Sequence, residues 1–188
     1  MTPVRVPERG GPQEIPRPES WLPGEPSPWS GLEDRTLSLD GIVGALDGRR
    51  PMSIRGRPTG GESTAGVLVA LYDDPRVGGP HVVLTRRSPR LASHSHEVSF
   101  PGGRHDEGDP DLWETALREA TEEIGLDPGL PSLVGRLDPL VTVSSRSLIH
   151  PFVALLPGPP ELVPNPAEVE AVLYVPLAEL LLDDVYRE

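Results

Sequence analysis

Three carboxylates, Glu119, Glu122 and Glu123, fall at i, i+3 and i+4 within Leu117-Arg-Glu-Ala-Thr-Glu-Glu-Ile-Gly-Leu126. On an α-helix this spacing gathers them on one face. Like charges so placed oppose the helix by about a few tenths of a kcal/mol per pair, so a positive charge must offset them. A divalent cation is the obvious candidate, and a carboxylate patch holding Mg²⁺ is what phosphoanhydride hydrolysis requires. Upstream, Phe100-Pro-Gly-Gly103 supplies two glycines that permit a tight bend and close backbone approach to a ligand or metal. Arg118 lies four residues after Glu114 and four before Glu122, so it can bridge both and fix their rotamers. A water made acidic by the metal could then attack phosphorus, and a carboxylate oxygen could take its proton. The metal and nearby arginines would neutralise the leaving phosphate.

An Arg/Glu-rich helix is most often only a solvated face. The order Gly102-Gly103, Arg118-Glu119, Glu122-Glu123, Gly125-Leu126 argues for more than that. It resembles the Nudix box, whose form is Gly, five residues, Glu, seven residues, then Arg-Glu-apolar-x-Glu-Glu-x-Gly-apolar. The second half matches from Arg118 to Leu126. The first half departs: Gly103 to Arg118 is one residue longer, and Pro110 stands at the acidic position, leaving Asp109, Asp106 or Glu107 to supply the acid. Further upstream, Leu84-Thr85-Arg86-Arg87-Ser88 and Phe100-Pro-Gly-Gly103 resemble the coenzyme A pyrophosphatase branch, which tolerates the longer spacing. Ala92 stands where that branch has Arg, with Arg90 two positions earlier, and His96 stands where it has Gly.

The resemblance implies a Nudix-type α/β/α sandwich with a mixed β-sheet and a loop-helix-loop catalytic motif. It implies metal-dependent cleavage of a pyrophosphate bond, with coenzyme A or an acyl derivative giving 3′,5′-ADP and a phosphopantetheine. Rival readings are ADP-ribose, a dinucleotide or another nucleoside diphosphate derivative as substrate, or a non-catalytic nucleotide-sensing module. Glu119, Glu122, Glu123 and the Gly103 carbonyl would hold Mg²⁺ or Mn²⁺. Glu119, Glu122 and Arg118 would be catalytic, with Arg118 orienting the cluster. Arg86, Arg87, Gly102 and Gly103 would meet the substrate. A His94–His96 metal pair is disfavoured, because carboxylate-rich sites select Mg²⁺ or Mn²⁺. These histidines read as loop residues and His105 as exposed. Glu168 reads as a general base or as an exposed turn acid.

The elements that must position these groups are legible as patterns. Leu39, Ile42, Val43 and Leu46 keep a helical spacing near 36–47. Ala65–Tyr72 and His81–Thr85 read as antiparallel strands joined by turn chemistry at 73–80. A basic loop spans 86–96, and Glu97–Phe100 reads as a brief strand. Asp109 reads as the N-cap of the acidic helix, with Pro110 at the first helical position. Trp113, Ala116, Leu117, Ala120 and Ile124 form its apolar seam, and Gly125 suits a left-handed C-terminal position. Strands follow at 133–141, 148–156 and 169–174, and a helix begins within 176–182.

The chain has 188 residues, with 20 Gly and 25 Pro, of which 4 Gly and 8 Pro fall within residues 1–34. Residues 1–34 read as a Pro/Gly-rich arm on which Trp21, Leu22 and Trp29 could dock locally. A protein-interaction role is one reading of the arm. Residues 35–188 form the catalytic domain. Cysteine is absent, which excludes disulfides and Cys-based zinc sites and suits the cytoplasm. A net charge of −12 argues against a nucleic-acid partner, though a small anion can still bind where cations reverse the local field. Val172–Leu182, interrupted by Pro176 and Glu179, is too short to span a membrane. The chain stops soon after Leu180-Leu-Leu182, where the branch continues with a strand and helix. Either the C-terminus is abbreviated or the sequence is a fragment; a missing packing helix would uncover an apolar face and favour a homodimer.

Overall fold

In a computed structural model of the chain, the described residues are 25–51, 63–91, 95–142 and 146–183. Their elements run α1 (Leu39–Leu46), β1 (Ser63–Asp73), β2 (Pro80–Arg87), β3 (Val98–Ser99), β4 (Gly102–Arg104), α2 (Leu112–Ile124), β5 (Ser132–Arg136), β6 (Leu140–Val141), β7 (Ser147–Leu155), β8 (Val169–Pro176) and α3 (Leu177–Leu180). The apolar run of β1 lies at the centre of one mixed sheet. It pairs parallel with β7 from Ser63↔Ser147 to Leu71↔Leu155. Its other edge is shared. Leu71–Asp73 pair antiparallel with Pro80–Val82 of β2, whereas Ala65–Val67 pair with Gly102–Arg104 of β4. Beyond Val82, β2 carries β3 at Thr85 and Arg86 on one edge and β8 on the other. The two central strands therefore fork, and the 98–104 segment is wedged between them.

Alternation along β1 divides its side chains between two cores. Leu68, Ala70 and Tyr72 pack with Val83, Phe152 and Ala154 against the α2 seam of Ala116, Leu117, Ala120 and Ile124. Val69 and Leu71 pack with Val82, Val153 and Val175 under Leu46 of α1. A sheet with helices on both faces is the expected α/β/α sandwich.

Several expectations need correction. The N-cap of α2 is Asp111, whose Oδ1 accepts from the Trp113 and Glu114 amides at 2.8 and 3.0 Å. Asp109 cannot cap because Arg118 and Thr115 occupy its carboxylate, and Pro110 thus lies outside the helix. The strand expected over 133–141 is two, β5 and β6. Leu137 N–H donates to Pro151 O at 3.1 Å where the strand turns, and Pro139 has no N–H for the ladder. Helix α1 is shorter than 36–47, because Ser38 Oγ caps it by accepting from Gly41 N–H at 3.1 Å. Gly125 takes the left-handed cap expected of it, at φ 65°. Of the 1–34 arm, the described part is pinned to the far end of the chain. Ser27 is buried and its hydroxyl lies 3.4 Å from Asp183, while Arg35 Nη1 meets Asp183 Oδ1 at 2.8 Å. Trp21 and Leu22 lie outside the described residues.

Candidate active site

Three glycines allow α2, β1 and β4 to close together. Gly66 pairs with Gly103 and Val67 with Gly102 across the β1–β4 ladder. A Cβ on Gly66 would overlap the Leu112 carbonyl oxygen, and one on Gly102 would overlap the Gly66 carbonyl oxygen. Gly102 also has φ 145°, a value that side chains disfavour. Over Gly103 lies the Glu119 carboxylate, so close that a Cβ would stand 2.5 Å from its Cδ. Gly102 N–H donates to Glu123 Oε2 at 3.2 Å. Two of the expected acids are therefore pressed onto the glycine bend.

The third is turned aside. On a helix of about 100° per residue, Glu119 and Glu123 differ by about 40°, whereas Glu122 and Glu123 diverge by about 100°. Side-chain exposure follows this, at 16% for Glu119, 4% for Glu123 and 55% for Glu122. Glu122 accepts from Arg118 Nη1 at 3.1 Å.

Arg118 contacts the cluster through Glu122, as its spacing suggested, but not through Glu114. Its Nε and Nη2 clasp Asp109 Oδ1 and Oδ2 at 2.8 and 3.0 Å, and Nη2 lies 3.0 Å from Glu119 Oε1. The paired guanidinium holds Asp109 well below the usual carboxylate range. Asp109 is thus the acid that replaces the one missing from the box. Asp106 comes no nearer than 3.8 Å to Arg118. Sequence reading left these two and Glu107 level, and it missed Thr115, whose buried hydroxyl donates to Asp109 at 2.8 Å and meets exposed His105 Nδ1 at 2.9 Å.

Of the two arginines, Arg87 faces the site and Arg86 does not. Arg87 Nη1 lies 3.8 Å from Glu123 Oε1, and among the described residues its buried Nε finds no hydrogen-bond partner. Arg86 Nε instead donates to Glu170 at 2.9 Å. Arg87 lines a cleft of about 400 Å³ with Val67, Phe100, Gly102, Gly103 and Ile149. Glu168 stands close enough that its charge raises the pKa of both Glu119 and Glu123. Its own Oε1 accepts from Asn165 Nδ2 at 3.2 Å. His96 bonds to Glu170, while Ala92 and His94 lie outside the described residues.

The donor set fits a hard cation. Burial raises the pKa of Glu119 and takes that of Glu123 from the ordinary 4.5 to about 7, and mutual repulsion with Glu168 adds to both. Arg87 stands beyond hydrogen-bonding distance of Glu123 and relieves this only in part. Among the described residues no three acidic or imidazole side chains converge as a finished metal cage. Two carboxylates and the Gly103 carbonyl make an open oxygen set, suited to an ion that keeps several waters.

A pH effect follows. Between pH 4.5 and 7 the folded protein keeps the Glu123 proton that the unfolded chain has lost, so stability falls as pH rises through this window. The loss is roughly 3 kcal/mol, or about 6–12 °C in Tm. Thermal unfolding with chelator at pH 5 and pH 8 should show this fall in wild type and a much smaller one in Glu123→Gln. Equal falls would contradict it.

The fork in the sheet, the glycine bend and the Arg118-oriented acids are those of a Nudix domain, and the chain belongs to the Nudix family: the family profile described as NUDIX domain matches residues 62–188. Among its relatives, Nudix hydrolase 15, mitochondrial, of Arabidopsis thaliana is 43% identical over 125 residues, which is 65% of this chain and 43% of that protein. Peroxisomal coenzyme A diphosphatase ndx-8 of Caenorhabditis elegans is 40% identical over 144 residues, 74% of this chain and 60% of that one. The chain spans less than half the length of the plant relatives it matches, at 43% and 41%. In structure it is similar to the NUDIX domain of Shewanella oneidensis NrtR complexed with ADP ribose, with TM-score 0.52 and 21% identity over 64% of this chain and 76% of that one. That likeness speaks for the fold alone. No helix of the described residues is long and apolar enough to cross a membrane. The relatives' names include mitochondrial, chloroplastic and peroxisomal proteins, and none speaks for the cytoplasm.

Proposed function

We propose that this chain is a metal-dependent pyrophosphohydrolase whose substrate is coenzyme A or an acyl-coenzyme A, cleaved to 3′,5′-ADP and a phosphopantetheine. The observation that carries the reading is the burial of Glu119 and Glu123 against Gly102-Gly103, at the mouth of a cleft that Arg87 also enters. Support for the substrate comes from the relative named as a coenzyme A diphosphatase and from the residues around Arg87 and Phe100.

Arg87, whose guanidinium reaches the cleft, donates to an oxygen of the diphosphate and offsets its charge. Glu119, steadied by Arg118, accepts the proton of the attacking water. Asp109 holds Arg118 in turn, so the orientation of Glu119 rests on a fixed guanidinium. Glu119, Glu122, Glu123 and the Gly103 carbonyl would hold Mg²⁺ or Mn²⁺, with Glu122 turning inward from Arg118. The bound ion would neutralise phosphate charge and make a water more acidic. Gly102 and Gly103 let the substrate approach the backbone.

The test is mass analysis of products from coenzyme A, ADP-ribose and NADH, each with Mg²⁺ or Mn²⁺. The expected product is 3′,5′-ADP from coenzyme A. AMP released from ADP-ribose or NADH in its place would move the substrate to another nucleoside diphosphate derivative. Binding without turnover would make the chain a nucleotide-sensing module and overturn the reading.

A further inference from the structure

The cation that enters the cleft is held from outside it. Across the β2–β8 ladder, Arg86 pairs with Ala171 and Arg87 with Val169, so Glu170 is the extra residue of a bulge. Bulges re-aim side chains. Here the Glu170 carboxylate is turned so that one oxygen, Oε2, accepts from Arg86 Nε at 2.9 Å and from His96 Nδ1 at 3.2 Å. The backbone of Arg87 is bracketed as well. Its N–H donates to Glu97 O at 2.9 Å, and its carbonyl accepts from His96 N–H at 3.1 Å. Those two bonds require the chain to turn sharply at His96, which has φ 63°, in the left-handed region that a histidine enters at a cost. The imidazole bond to Glu170 offsets that cost. Arg86 and His96 are half-buried, with side-chain exposures of 14% and 24%, while Glu170 stands on the exposed side of its strand at 31%.

We infer that His96 and Glu170 are positioning residues for Arg87: the imidazole–carboxylate–Arg86 clasp outside the cleft fixes the turn that aims the Arg87 guanidinium at the substrate's diphosphate. This rests on the pyrophosphohydrolase reading and adds a specificity device to it. None of the clasp residues touches substrate. Their effect is on how strongly the diphosphate is bound, and they act only through Arg87.

His96→Gly isolates the side chain, because glycine adopts φ 63° freely and the turn itself survives. Steady-state kinetics on the substrate found by the product analysis should show KM raised roughly tenfold in His96→Gly and in Glu170→Gln with kcat nearly unchanged, a partial misplacement on a scale where 1 Å costs about 100-fold. Unfolding temperature should not fall in His96→Gly. In an Arg87→Ala background the same His96→Gly change should add nothing, since the group it positions is gone. Wild-type KM in His96→Gly, or effects of His96→Gly and Arg87→Ala that simply multiply, would overturn the inference. If wild type turns over no diphosphate, the pyrophosphohydrolase reading is what fails. Wild type, His96→Gly, Arg87→Ala and the double variant are then compared by calorimetric binding of α,β-methylene-ADP, with the same non-additivity expected in affinity. Absence of wild-type binding to that probe would overturn the inference too.

Discussion

Glu119→Gln should lower kcat by at least about 100-fold while leaving the protein folded, the scale of loss when a positioned proton acceptor is removed. Glutamine has nearly the shape of glutamate, so it fits the space over Gly103 that no Cβ could share. It lacks the charge that would accept a proton or grip a cation. Arg118 keeps its two bonds to Asp109, so the orienting guanidinium stays where it is. Stability should hold or rise in metal-free protein, because burial and the charges of Glu122 and Glu168 disfavour the Glu119 anion. Loss of activity therefore cannot be assigned to unfolding. The checks are kcat at saturating Mg²⁺ and a thermal melt with chelator. Near-normal turnover would sink the assignment of Glu119.

Gly66→Ala should cost about 3 kcal/mol or more, an overpacking penalty at its upper end. The methyl group would overlap the Leu112 carbonyl oxygen, a backbone atom in the first turn of α2 that cannot swing away as a side-chain tip can. Relief requires lifting the start of α2 off β1, which opens the core around Leu68, Ala116 and Phe152. The expected fall in Tm is roughly 6–12 °C. Gly44→Ala is the matched control. It lies in α1 with open space around its Cβ position and should stabilise, by up to about 1 kcal/mol. If the two substitutions melt together, close packing of α2 onto β1 at Gly66 is refuted.

The pattern of apolar residues was enough to read the main strands and the acidic helix, whereas the sandwich came from the family resemblance. The 3.6-residue seam from Trp113 to Ile124 and the apolar runs of β1, β2 and β7 lie where periodicity and turn residues put them. Side-chain pairing was less legible. Asp109 and Asp111 are two residues apart and either could cap α2; the choice turns on Arg118 reaching back across the 104–109 loop, a contact no local pattern announces. Spacing made Glu114 and Glu122 the partners of Arg118; Glu122 does pair with it, but a bidentate, nearly buried Asp109 takes the place of the solvated Glu114. As neighbours in a basic stretch Arg86 and Arg87 read alike from residue type, and only the family resemblance favoured Arg87 as the phosphate contact. The bulge at Glu170 separates them, and its signal lies on a strand more than eighty residues away. The three glutamates read as one patch because i, i+3 and i+4 share a broad face, yet only the narrower pair at i and i+4 meets the glycine bend.

The forked sheet divides labour between its two layers. The acids that would serve the proposed cleavage lie on α2, whereas Val67 and Ile149, which wall the groove, share the strand faces of Val69 and Val153 on the α1 side. Redecorating the groove wall could thus retune which molecule is accepted while the cutting apparatus stays intact, so a change of diet would need few substitutions and no new scaffold.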